Sequence, residues 1–169
     1  MAPDGVSDEG CRDGPERPIA SDLPILADEG EAEVIDDEVR TVLITGASGN
    51  IGRKLRAAWE DVYDLILLDL DPRDDPAVIA ADLADPDAGW IEHFHGVDAV
   101  VHLAANPNEF ASWEELEAPN LDALANVFHA AVLTGVDRIV FASSNHAMGG
   151  YRDRDETPIT VDLPPRPDG

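Results

Sequence analysis

The stretch TVLITGASGNIGRKLRAAW, from Thr41 to Trp59, limits what this chain can fold into more than any other part of it. A β-branched apolar run stops at Gly46, and Gly49 and Gly52 follow at intervals of three. Helical spacing then starts at once, with Ile51, Leu55, Ala58 and Trp59 on one face. Strand, glycine loop and helix in that order form a turn suited to a diphosphate. Gly46 permits the tight turn, Gly49 lets an anion approach the backbone with no Cβ in the way, and Gly52 lets the helix pack closely on the strand. The helix N-terminus adds N–H groups and partial positive charge, and Arg53 lies just inside it. The following strand places Asp69 twenty-three positions after Gly46, where an acid accepts hydrogen bonds from the ribose of a bound dinucleotide. A carboxylate there repels a 2′-phosphate and favours NAD over NADP, although Arg73 is of a type that accommodates that phosphate.

The rest of the chain repeats the same texture. YDLILLDLD, AVIAADLAD, VDAVVHLAAN and VDRIVFASS read as further strands, nearly continuous in apolar residues. Between them DAGWIEHFHG reads as a short helix. EELEAPNLDALANVFHAAVLTG reads as one long helix ended by Gly135, with Leu121, Leu124, Val127, Phe128 and Ala131 inward. Strands of this kind alternating with helices predict an α/β fold, a Rossmann-type doubly wound parallel sheet covered on both faces. Trp59, Trp90 and Trp113 are expected in the core or against helices. The scattered histidines 93, 95, 102 and 129 complete no metal-ligand pattern.

Charge separates the ends of the chain. Residues 1–39 are acidic and read as a weakly ordered extension, with EAEVIDDEV as a possible short helix; residues 40–169 carry the fold. DPRDDP and YRDRDET read as solvated loops. Thirty-six acids oppose eleven bases, a net charge of −25, and Lys54 is the only lysine. Such a surface repels nucleic acid and anionic membranes, so neither is an expected partner. The excess runs along the whole chain, as in a salt-adapted solvating surface, and stability is expected to rise with salt. No apolar run reaches the roughly 18 residues of a membrane span. The acidic start is unlike a signal peptide, and Cys11 stands alone; together these predict the reducing cytoplasm.

The TGxxGxxG spacing resembles that of the extended short-chain dehydrogenase/reductase family of sugar epimerases, dehydratases and sugar dehydrogenases. Asp82 and Leu83 in AADLAD, HLAAN at residues 102–106, Asn120 and Asn126 in the long helix, and FASSNHAMGG resemble its further motifs in order. SSNH, with RPDG downstream, is most similar to uronate dehydrogenases and related NAD-dependent sugar dehydrogenases. The resemblance implies NAD contacts at Gly46, Ser48, Gly49, Asn50, Ile51, Gly52, Asp69, Asp82, Leu83, Leu103, Ala104, Ala105, Asn120 and Ser143. It implies that Ser144 holds the reacting oxygen and that Asn145 and His146 bind a sugar or sugar acid oxidised at its anomeric carbon. Pro107 departs from the uronate pattern, which has a serine there.

A serine hydroxyl holds an oxygen but is too weak a base to take its proton alone. The family assigns that role to a tyrosine with a lysine four residues later, and no such pair occurs in this sequence. The chain is therefore expected to be a fragment that binds NAD weakly and turns over nothing. Two other outcomes share the scaffold: a nucleotide-sugar epimerase or dehydratase, and a non-catalytic NAD-binding protein. A homodimer is expected of a full-length form.

Overall fold

A computed structural model describes residues 39–152 and 158–168. The acidic segment 1–38, the last five residues of YRDRDET at 153–157, and Gly169 lie outside the described residues. Five short strands carry the apolar runs: β1 (Thr41–Thr45), β2 (Asp64–Asp69), β3 (Val78–Ala80), β4 (Ala99–His102) and β5 (Arg138–Phe141). They pair in parallel in the order β3-β2-β1-β4-β5. The chain leaves β1 first toward β2 and β3, then returns across it to β4. The order thus reverses beside β1, and open α/β sheets bind ligands in the crevice beyond the strand ends at such a point.

Alternate side chains of the strands feed two cores. On one face Val42, Ile44, Leu67, Val78 and Val101 pack with Leu55 and Trp59 of α1 (Asn50–Trp59). On the other, Leu43, Leu68 and Val100 meet Trp90 and Phe94 of a 3₁₀ helix (Trp90–Phe94) and Val127, Ala130 and Ala131 of a long helix. Leu43, Val100 and Val127 are fully buried. The expected doubly covered sheet is present, although edge strand β5 leaves Val140 and Phe141 exposed.

Helical details depart from the sequence reading. In α1 the inward row is Gly52, Leu55, Arg56 and Trp59, while Ile51 and Ala58 are exposed. Close contact at Gly52 fixes the rotation of the helix, and residues one position back fall about 100° away. Arg56 reaches over the edge to pair with Asp75. The long helix is three pieces: α2 (Trp113–Leu116), a π-helical segment (Glu117–Asp122) and α3 (Ala123–Thr134). Ser112 and Glu115 form a reciprocal capping box that starts α2 at the surface, so Trp113 is exposed rather than packed. Pro119 has no N–H to give the Glu115 carbonyl four residues earlier. That carbonyl accepts instead from Asn106 Nδ2 at 3.4 Å, and the backbone widens through the π segment. The widening shifts the helical frame: Leu121 and Phe128 turn outward, and Ala123, Val127, Ala130 and Ala131 face the sheet.

Candidate functional site

The crevice forms where the loops after β1 and β4 touch. Gly46 has φ +69°, and a Cβ on it would stand 2.8 Å from Ala104 N and 2.9 Å from the Leu103 carbonyl carbon. Gly52 sits equally close to the loop: its Cβ would overlap Gly46 O and lie 2.7 Å from Ala47 Cα. The third glycine thus packs α1 against the turn itself rather than against the strand. A Cβ on Gly49, the N-cap of α1, would meet only Gly46 O, at 3.0 Å, so the approach to the helix N-terminus is open. Asn50 and Ile51 are exposed on the first helical turn, whose backbone N–H groups have no acceptor within the helix.

Ser48 gives the loop its chemistry. It is 5% exposed, its N–H donates to Asp69 Oδ2 at 2.9 Å, and its Oγ has no hydrogen-bond partner, alone among buried side-chain polar atoms of the described residues. A buried hydroxyl left unpaired costs about 1–3 kcal/mol. An orphaned hydroxyl, an open helix N-terminus and two glycines without room for a Cβ fit the diphosphate of a dinucleotide. Asp69 does more than wait for a ribose. While Oδ2 holds Ser48, Oδ1 accepts from Asp71 N–H at 3.0 Å; each oxygen keeps a further lone pair for a hydroxyl. Asp82 is exposed and accepts from Ala84 N–H at 3.0 Å, at the end of β3. Leu83 is buried in the core, so its side chain is out of reach of a ligand in the crevice. Asn126 Nδ2 holds the Leu83 and Ala84 carbonyls at 2.9 and 3.1 Å, tying this corner to α3.

A second part of the site is a cleft of about 760 Å³ beyond β4 and β5. It gathers residues 104–110 and 141–146 with Leu116 and Asn120, and so brings Ala104, Ala105, Asn120, Ser143, Ser144, Asn145 and His146 together. Leu103 stands beside it against Gly46. Asn120, on the π segment, grips the backbone of Asn106 at both ends: its Oδ1 accepts from Asn106 N–H at 2.6 Å and its Nδ2 donates to Asn106 O at 3.1 Å. Ser144 caps a 3₁₀ helix (Asn145–Tyr151), its Oγ accepting from His146 N–H at 3.1 Å. The glycine loop joins this cleft through the Gly46–Ala104 contact, whereas Asp82 stands apart from it.

Sequence reasoning passed over Thr45 and gave His102 no role of its own beyond its place in HLAAN; together they hold the two loops in register. Thr45 Oγ1 accepts from Leu103 N–H at 3.2 Å and Ala104 N–H at 3.3 Å, so its own proton goes to His102 Nδ1, 2.7 Å away. His102 is therefore the neutral Nε2–H tautomer, buried and stacked on Phe141. A polar residue closing each of two adjacent buried strands was the available signal. Burial pushes the His102 pKa below its ordinary value. The unfolded state then binds the proton first, so stability present above pH ~6.5 is lost as pH falls. Denaturant unfolding at stepped pH should show this loss, at no more than about 1.4 kcal/mol per pH unit, and His102→Asn should remove it. Asp75 is lowered by the Ala77 N–H and Arg56, and Asp168 by His146; their contributions fall away only below pH ~4, outside that window.

A parallel sheet with its order reversed at a glycine turn, a helix N-terminus and an acid beyond the second strand defines a dinucleotide-binding α/β protein. The particular family follows from comparison: residues 42–168 match the NAD dependent epimerase/dehydratase family, and the chain belongs to it. It is 40% identical over 126 residues to an NAD-dependent glucose-6-phosphate dehydrogenase of Haloferax volcanii, covering 69% of this chain and 48% of that one. It is 40% identical over 133 residues to a uronate dehydrogenase of Pseudomonas putida, covering 75% and 48%. The crystal structure of uronate dehydrogenase from Agrobacterium tumefaciens superposes with a TM-score of 0.67 at 37% identity, over 78% of this chain and 50% of that one. The chain spans about half the length of the curated relatives it matches. Among the described residues no helix is long and apolar enough to cross a membrane.

Proposed function

We propose that this chain supplies the NAD-binding half, residues 40–169, of a cytoplasmic sugar or sugar-acid dehydrogenase, behind an acidic extension at residues 1–39. The observation that carries the reading is the partnerless Ser48 hydroxyl, buried in a glycine turn at a helix N-terminus. NAD, when bound, accepts the hydride removed from the sugar carbon. The glycine turn and Ser48 hold its diphosphate, Asp69 its ribose, and Ala104, Ala105 and Asn120 border its path toward the cleft. Ser144 Oγ accepts from His146 N–H, which leaves the serine proton free to donate to the sugar oxygen. Asn145 and His146 stand beside it as sugar contacts. The only lysine, Lys54, is exposed in α1, so the chain alone binds NAD without turning over sugar. The full-length form is a homodimer on this reading, and the surface charge suits a salt-rich cytoplasm.

Calorimetric titration in molar KCl tests the reading. NAD should bind saturably and more tightly than NADP, with no NADH formed from aldoses or uronates. A heat trace with no saturable NAD signal sinks it.

A further inference from the structure

The last described residues fold back on the 3₁₀ helix that follows Ser144. Arg166 N–H donates to Ala147 O at 2.8 Å, Gly150 N–H donates to Arg166 O at 2.8 Å, and the Tyr151 hydroxyl donates to Pro164 O at 3.0 Å. The Arg166 guanidinium lies 5.6 Å from the Tyr151 ring centroid. The glycine pair in HAMGGY makes this seating possible: a Cβ on Gly149 would overlap the Asp168 carboxylate, and one on Gly150 would lie 2.7 Å from Arg166 Cγ. Asp168 is thereby delivered to His146, with Oδ1 2.8 Å from Nδ1. Arg152 approaches the other carboxylate oxygen at 3.8 Å.

We propose that Asp168 is a positioning residue for His146, which it holds in the Nδ1–H form so that Nε2 is a free acceptor for a sugar hydroxyl. An ionised carboxylate only accepts hydrogen bonds, so the proton of a neutral ring must sit on Nδ1. The hydrogen bond from His146 keeps the Asp168 carboxyl below its usual range, hence ionised near neutrality. Nε2 is then the one ring atom available to a ligand in the cleft that His146 lines. His146 also lines an adjoining cavity of about 540 Å³ with Glu109, Ala147, Pro167 and Asp168, so among the described residues Glu109 and Arg152 are further charged groups near the pair. No serine relay is formed, because Ser144 Oγ meets the backbone N–H of His146 and not its ring. The tautomer claim stands on the geometry of this chain; the identity of the hydroxyl donor rests on the proposed function.

Long-range ¹H–¹⁵N correlation spectra of the full chain read ring tautomers directly, with His146→Gln assigning the signal and His102 as an internal Nε2–H standard. The neutral form of the wild-type His146 ring should be predominantly Nδ1–H. Asp168→Ala should shift it toward the Nε2–H form that free side chains favour, and Asp168→Glu should restore it. Asp168→Val, which likewise lacks an acceptor, serves in place of the alanine variant if that one fails to fold. A wild-type ring in the Nε2–H form, or a tautomer indifferent to Asp168, overturns the positioning role whatever the chain binds. Adding glucose with NADH present should move the His146 Nε2 resonance in the wild type. A fixed tautomer with no such movement overturns the hydroxyl assignment, and saturable NADH binding in the same sample separates that result from failure of the cofactor reading.

Discussion

Gly52→Ala is expected to lower the stability of the folded unit by at least about 3 kcal/mol and to abolish NAD binding. The new methyl would overlap Gly46 O and lie 2.7 and 2.9 Å from Ala47 Cα and C. All three are backbone atoms, so no rotamer change relieves the overlap. The loop cannot retreat either. Ala47 N–H donates to Leu68 O at 3.1 Å, Ser48 N–H is held by Asp69, and Gly46 rests on Leu103 and Ala104. The helix must therefore lift, which parts Leu55 and Trp59 from Val42, Ile44 and Val101. Gly49→Ala is the matched control: its φ is −70°, and the added Cβ meets a single atom at 3.0 Å. It should fold within about 1 kcal/mol of wild type yet bind NAD at least tenfold more weakly, because its methyl stands in the diphosphate's approach. Urea unfolding and NAD titration of both variants separate the roles. A Gly52→Ala protein as stable as wild type, or a Gly49→Ala protein with undiminished NAD affinity, contradicts this division between packing and binding.

The parts of the fold legible in the sequence are those that single residues or short runs dictate. Each buried strand declared itself through apolar residues on both faces, and the glycine turn through its place between strand and helix. What stayed hidden depends on contacts between distant segments. The rotation of α1 is fixed by the meeting of Gly52 with Gly46 and Ala47, so the pattern of apolar residues alone put Ile51 and Ala58 on the wrong side. The segment around Pro119 reads as one unbroken helix; the proline was an available sign of a break that this reading did not use, and the π segment also needs Asn106 to take the Glu115 carbonyl that the proline leaves unpaired. Trp113 illustrates the limit of reading aromatic residues as core, since a capping box at Ser112 begins its helix at the surface. The cleft residues were named from motif order, yet their grouping follows from the β4–β5 pairing, which sets the loop after His102 beside the one after Phe141. The Thr45–His102 pair joins adjacent strands separated by 57 positions, beyond the reach of any local pattern.

Asp69→Ala is expected to weaken NAD binding by roughly 10- to 100-fold and to leave NADP binding no better than about threefold above wild type. A simple specificity acid predicts otherwise, since removing the charge removes its repulsion of the 2′-phosphate. Here the same carboxylate shapes the site. Oδ2 holds the Ser48 amide at 2.9 Å and Oδ1 the Asp71 amide at 3.0 Å, and Asp71 Oδ1 in turn holds the Arg73 amide at 3.0 Å. Arg73 and Asp74 sit at φ +52° and +60°, unfavourable for residues other than glycine, so the turn after β2 depends on that chain of side-chain bonds. Without the carboxylate, the glycine loop and the arginine that would meet a 2′-phosphate both lose their anchors. Hydrogen bonds to a charged acceptor contribute about 1.5–3 kcal/mol, which sets the size of the NAD loss. Binding of both cofactors should be measured together with amide exchange in the free protein, where Ser48 and Asp71 should exchange at least tenfold faster in the variant. Faster exchange with weakened binding of both cofactors supports the shared role. An Asp69→Ala protein that binds NADP tenfold better, with the Ser48 amide as protected as in wild type, shows instead that the acid only repels phosphate and that the loop holds its shape without it.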